Sequence, residues 1–196
     1  MRAFVDAQGN VGSTSTDPFE HGFASDWRIY KGDELIAGTA LGDSGRIWVE
    51  PQRARYRIEY AIENHSTWAR LSTRTKTVWA FDSEHVEGDP LVLPLLAVSY
   101  DALVDLRNRA ASTKLGLTMA HQPGAKQSTI RDVTLETSSD DGKTWRSARQ
   151  LRDMGHGAYE ATIERPSSGL VSLRVTASDT EGATITQEVI RAYGMR

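Results

Sequence analysis

Short segments of alternating polarity, set off by turn residues roughly every ten positions, constrain this chain more than any other feature. Asp26-Trp27-Arg28-Ile29-Tyr30 alternates, Lys31-Gly32-Asp33-Glu34 turns, and Leu35-Ile36-Ala37 returns. Arg53 to Asn64 is the clearest strand of the first half. Tyr56, Ile58, Tyr60 and Ile62 fall on one face, and Arg55, Arg57 and Glu59 on the other, because successive side chains of a strand point to opposite sides. Further strands are expected over Met1–Ala7, Arg46–Val49, Leu115–Ala120, Arg131–Thr137, Tyr159–Glu164, Val171–Ala177 and Ala183–Tyr193. Leu103, Leu106 and Ala110 have helical spacing, but Asp101 to Lys114 is polar and short and reads as a loop or a single turn. The pattern is that of an all-β antiparallel sandwich.

Ser72 to Asp101 organises the domain layout. Ser72 to Phe81 is β-branched and aromatic with alternating polarity, which suits a half-buried strand. Pro90 to Asp101 is a nearly continuous apolar run, which suits a strand buried on both faces or one entering a new core. The polar stretch from Asp82 to Asp89 between them has the composition of a linker. The expected organisation is therefore two antiparallel β-sandwich domains, an N-terminal one over residues 1–88 and a C-terminal one over residues 89–196. The second resembles a fibronectin type III or immunoglobulin-like module.

Composition narrows the chemistry. The 196 residues carry a formal net charge of -3 with acids and bases mixed along the chain. That gives neither the clustered basic face of a nucleic-acid binder nor a polybasic membrane segment, so neither nucleic acid nor membrane is expected as a partner. There is no cysteine, which rules out thiolate metal sites and thiol catalysis. The opening Met1-Arg-Ala-Phe-Val-Asp6 reads as a strand and not as a signal peptide. The chain is then either cytoplasmic or a piece of a longer secreted one.

Few motifs carry chemistry. Ser138, Asp140, Gly142, Thr144 and Trp145 fit Ser-x-Asp-x-Gly-x-Thr-Trp, which resembles the Asp-box hairpin. The acid can accept turn N–H groups, the glycine supplies positive φ and the tryptophan packs back, so these residues are expected to form a structural hairpin. The five histidines, His21, His65, His85, His121 and His156, show no i, i+2 or i, i+4 pair that would grip a metal. No Gly-x-Ser-x-Gly is present to mark a hydrolase nucleophile. Asp82, Glu84, Glu87 and Asp89 could offer oxygen ligands to calcium, but they lack the Asp-x-Asp-x-Asp spacing and read as a solvated linker. Trp27, Trp48, Trp68 and Trp79 crowd the first half and are expected to pack inward rather than form a ligand platform. No catalytic residue, cofactor or metal site is expected.

Several segments taken in order resemble the carboxy-terminal region of actinobacterial subtilisin-like (S8 family) secreted serine proteases. They are Leu71–Thr75 with Trp79-Ala80-Phe81, Leu93–Leu96 with Tyr100-Asp101, Leu106–Ala110, His121–Ala125, Asp140–Trp145, Val171–Arg174 and Ile190–Gly194. The family's catalytic motifs, Asp-Ser/Thr-Gly, His-Gly-Thr-His and Gly-Thr-Ser-Met-Ala, are absent. The resemblance implies a non-catalytic accessory region of a secreted endopeptidase, with an upstream protease catalytic domain as partner. It would stabilise the enzyme or help it engage a protein substrate. The rival readings are a free-standing module binding a protein or carbohydrate ligand, and a structural or assembly protein.

Overall fold

The computed structural model describes residues 22–39, 47–68, 70–88, 91–166 and 169–196. The strand expected over Met1–Ala7, together with His21, Arg46, Asp89 and Pro90, lies outside the described residues, and residues 47–49 of the strand expected over Arg46–Val49 are not strand. Those described form thirteen strands. The first half contributes β1 (Phe23–Lys31), β2 (Glu34–Gly38), β3 (Ala54–Asn64) and β4 (Arg74–Ser83). The second contributes β5 (Leu96–Asp101), β6 (Arg109–Ala110), β7 (Lys114–His121), β8 (Ile130–Ser138) and β9 (Arg146–Ser147). It continues with β10 (Gln150–Gly155), β11 (Ala158–Thr162), β12 (Leu170–Asp179) and β13 (Thr184–Met195).

These strands make two sheets. One has four strands in the order β10-β11-β7-β5; the other has nine, in the order β2-β1-β3-β4-β13-β12-β8-β9, with β6 joined to β13 by a short parallel pairing. Every other pairing is antiparallel. The all-β sandwich architecture is as the alternation predicts. Described strands of the two halves, expected in domains 1–88 and 89–196, share one sheet. Among the described residues the first half supplies one layer of four strands, and that layer extends the larger sheet past β13. The joint is the β4–β13 ladder, from Thr184 opposite Ala80 to Ile190 opposite Arg74.

The core explains why β4 sits there. Trp79 and Phe81 of β4, with Tyr56 and Ile58 of β3, are buried in one cluster with Leu96, Leu115, Leu117 and Met119 of the smaller sheet. Leu135, Leu173, Val175 and Ile185 complete the facing layer. The Trp79 indole N–H donates to the Leu96 carbonyl at 2.7 Å, so a polar atom carried into the core has its partner across the sheets. Of the apolar run after the seam only Leu96 onward is strand. Leu91, Val92 and Leu93 stay largely exposed, because the smaller sheet begins beyond them.

The outer face of the large sheet is a row of alternating charge. Lys76 lies opposite Glu188, Glu188 opposite Arg174, and Arg174 opposite Glu136. Arg174 pairs with Glu136 at 2.6 Å and with Glu188 at 3.5 Å. Unlike charges directly opposite each other on a sheet attract, so this row favours the observed register of four neighbouring strands.

Candidate functional site

Two polar constellations stand out, and both lie where strands turn. The first is the hairpin between β8 and β9. The Ser138 hydroxyl accepts the Gly142 N–H at 2.9 Å and the Asp140 N–H at 3.3 Å, and donates to Asp140 Oδ1 at 2.7 Å. Asp140 in turn accepts the Thr144 N–H at 2.9 Å and the Thr144 hydroxyl at 2.6 Å. The Thr144 hydroxyl and N–H, with Ser138, hold the Asp140 carboxyl well below the usual carboxylate range. Asp141 and Gly142 both have positive φ, 61° and 81°. A Cβ at Gly142 would stand 2.8 Å from Ile190 Cδ1 and 3.1 Å from the Trp145 ring, so glycine is needed for space as well as for backbone. Ser138, Asp140, Gly142, Thr144 and Trp145 are thus brought together, and all the hydrogen bonds above close on the turn itself.

The hairpin covers a bulge in β13. Val171 pairs with Tyr193 and Leu173 with Val189, so Ser172 alone stands opposite Ile190, Arg191 and Ala192. Arg191 takes φ 56°, and its N–H donates to the Ser172 hydroxyl at 3.0 Å. Its guanidinium makes two bonds to Asp141, at 2.8 and 2.7 Å, and thereby depresses the Asp141 carboxyl. The carbonyls of Arg191 and Ile190 accept the Ser72 and Thr73 N–H groups. The bulge therefore ties the first half, β13 and the hairpin together. Trp145 lies half-buried with the Arg174 guanidinium 4.6 Å over its ring, a favourable cation–π contact. Beside the hairpin is a groove of about 200 Å³ lined by Ser138, Thr144, Arg146, Glu164 and Arg165 among others. Glu164 is taken up by Arg149 at 2.7 Å and Arg146 at 3.5 Å, so the groove's main charges are paired within the protein.

The second constellation was not legible in the sequence. His121, at the end of β7, places Nε2 2.9 Å from Asp179 Oδ2, with the two side chains only 2% and 1% exposed. Ser128 donates its hydroxyl to the same oxygen at 2.7 Å and stands 3.2 Å from His121 Nε2. Asp179 Oδ1 accepts the Glu181 and Ala183 N–H groups at 2.9 and 2.8 Å. Burial opposes ionisation of Asp179, but the His121, Ser128 and backbone donors outweigh it and lower the carboxyl below its ordinary value. Serine, histidine and aspartate meet here, yet not as a hydrolytic relay. A relay has the acid on one ring nitrogen and the serine on the other. Here both face Nε2, and the serine already donates to the acid. The arrangement is a clasp. It fixes the β12–β13 turn of the large sheet to the end of β7 in the small one. Asp179-Thr180-Glu181-Gly182 reads locally as a turn, but nothing local announces a histidine 58 positions away.

The remaining candidates stay dispersed. Asp82 is held by Arg53 at 3.1 Å and Arg55 at 3.5 Å, which lower its carboxyl; Glu84 and Glu87 are exposed. Among the described residues no group of three His, Asp or Glu side chains is placed to hold a metal ion. The tryptophans divide, with Trp79 in the core, Trp27 half-buried, and Trp48 and Trp68 98% and 77% exposed. The inward packing expected of all four therefore fails for Trp48 and Trp68, which lie outside the strands. The chain matches no protein-family model, no curated protein and no solved structure at a significant level.

Proposed function

We propose that this chain is a non-catalytic β-sandwich accessory module of a secreted subtilisin-like serine endopeptidase, acting beside a catalytic domain of the same protein. The observation that carries the reading is where the resembling segments meet. Asp140–Trp145 lies over Ile190, Val171–Arg174 runs beneath the hairpin, and His121 closes on Asp179. The likeness thus falls on residues that hold a framework, as expected of an accessory domain with no reacting centre of its own. The closed geometry of the His121–Asp179–Ser128 clasp supports the non-catalytic part. Strand order supports an immunoglobulin or fibronectin type III kinship for the second half. The sheet β5-β7-β11-β10 has the A-B-E-D order of such modules, and β8-β12-β13 has the C-F-G order. On that reading β4 is an added strand on the G edge.

The test is direct. Purified chain incubated with a fluorophosphonate probe should show no labelled serine, and it should not degrade casein. Fused behind a subtilase catalytic domain from the same reading frame, it should raise the domain's resistance to heat or its turnover of casein relative to the domain alone. Labelling of a specific serine, or a reading frame without such a domain, refutes the proposal. A second reading, a free-standing carbohydrate or protein binder, is favoured by the exposure of Trp48 and Trp68. Quenching of tryptophan fluorescence by soluble glycans, lost in Trp68→Ala, would favour it.

A further inference from the structure

The two ends of the sandwich are unlike, and each carries apolar side chains that the fold leaves outside. At the end where β5 finishes, residues 102–108 form a loop with Leu103 76% and Leu106 101% exposed. The loop is stiff. Leu103 and Asn108 sit at φ 44° and 53°, values that L residues avoid unless the surroundings impose them. Asp101 accepts the Leu103 N–H at 3.3 Å, and Asp105 accepts the Arg107 N–H at 2.8 Å, the Arg109 N–H at 2.9 Å and the Arg196 guanidinium at 2.8 Å. The Asn108 carbonyl accepts the Gly194 N–H at 2.9 Å, and Arg165 bonds the carbonyl of Arg196. Arg107, Arg109, Arg165 and Arg196 thus lie at this end with Asp101 and Asp105, and Asp105 pairs with Arg109 at 3.3 Å and Arg196 at 2.8 Å.

At the opposite end exposed acids stand beside apolar side chains, and the nearby Arg53 and Arg55 are held by Asp82. Val86, Leu91, Val92 and Leu93 are 44%, 70%, 42% and 37% exposed, and the exposed acids Glu84 and Glu87 stand beside them. This surface is also anchored. The His85 N–H donates to the Pro51 carbonyl at 3.0 Å, and Gln122 Nε2 donates to the Leu93 carbonyl at 2.6 Å. Strand β13, with Thr184 toward the acidic end and Gly194 bonded to the basic loop, separates the two surfaces by roughly 35 Å at about 3.3 Å per residue.

We propose that copies of this chain associate head to tail, the leucine loop 102–108 of one seating on the acidic apolar surface of residues 84–88 and 91–93 of the next. Apolar side chains held on a fixed backbone lose little freedom on docking, and opposite charges at the rims set the pairing and its direction. A fixed backbone points to a shaped protein surface, since a bilayer would accept the same leucines from a mobile loop. Such a contact is heterologous and yields open rows instead of a closed dimer. It is independent of the accessory-module reading, because it concerns surfaces that the clasp and hairpin do not use.

Sedimentation velocity of the full chain from micromolar to millimolar concentration tests this. The average mass should rise with concentration at low salt and fall back when salt screens the rims. Leu106→Asp and Leu91→Asp should each lose self-association while melting like the parent, since both positions face solvent. Leu106→Ala and Leu91→Ala should each weaken it at least tenfold. An equimolar mixture of the two Asp variants should form a one-to-one dimer and nothing larger, because one intact surface of each kind remains. A chain that stays monomeric throughout refutes the contact, as does association that survives Leu91→Asp. Leu106-dependent binding to vesicles of equal parts phosphatidylserine and phosphatidylcholine, without self-association, also overturns it.

Discussion

Replacing Asp179 measures how much the inter-sheet clasp contributes. The side chain is 1% exposed and accepts four donors, from His121, Ser128, Glu181 and Ala183. Asp179→Ala leaves all four without that acceptor. Hydrogen bonds to a charged group are worth about 1.5–3 kcal/mol each, and a buried donor left unpaired costs about 1–3 kcal/mol. The effects overlap, and water can reach the Glu181 end of the turn, so the sum is not reached. We expect a loss of about 4 kcal/mol. Asp179→Asn keeps an oxygen for the two backbone N–H groups but loses the charge, and should cost about 2 kcal/mol. Urea unfolding at neutral pH, read by tryptophan fluorescence and circular dichroism together, gives both values. The pH dependence supplies a second check. The folded carboxyl lies below its unfolded value of about 3.9. Its contribution is therefore complete above that value and lost as pH falls through the folded pKa. The gap between parent and Asp179→Asn should accordingly close below about pH 4. A loss under about 0.5 kcal/mol for Asp179→Ala, the size of an ordinary surface change, would refute the clasp.

Two further outcomes follow from the hairpin and the joint. Gly142→Ala should destabilise the protein by about 1–2 kcal/mol in thermal unfolding, since alanine is strained at φ 81° and its methyl meets Ile190 and Trp145. Cleavage by a Glu-specific protease at the exposed Glu84 or Glu87 should leave a nicked protein that stays together on gel filtration and unfolds in one transition. The β4–β13 ladder and the buried Trp79 and Phe81 join the pieces; two fragments that separate without denaturant would show that this joint is weak.

The local pattern alone determined much of this protein. Period-two alternation marked β3, β8, β12 and β13 because each has one buried face, and a half-buried strand must alternate. The Ser138–Trp145 turn was legible because its hydrogen bonds run between residues at most four positions apart. The short, exposed β10 went unmarked, since Arg152-Asp153-Met154 buries too little to impose a period. Only the tertiary structure decided the rest. Alternation says that β4 has an apolar face, but the neighbour along its edge is chosen by backbone groups that are the same in every residue. That choice fell to β13 because Trp79 and Phe81 then enter the core beside Leu96. The bulge at Arg191 and the approach of His121 to Asp179 belong to the same class. Each depends on residues far apart in the chain that meet only after the sheets have closed, so neither leaves a mark in the sequence around it.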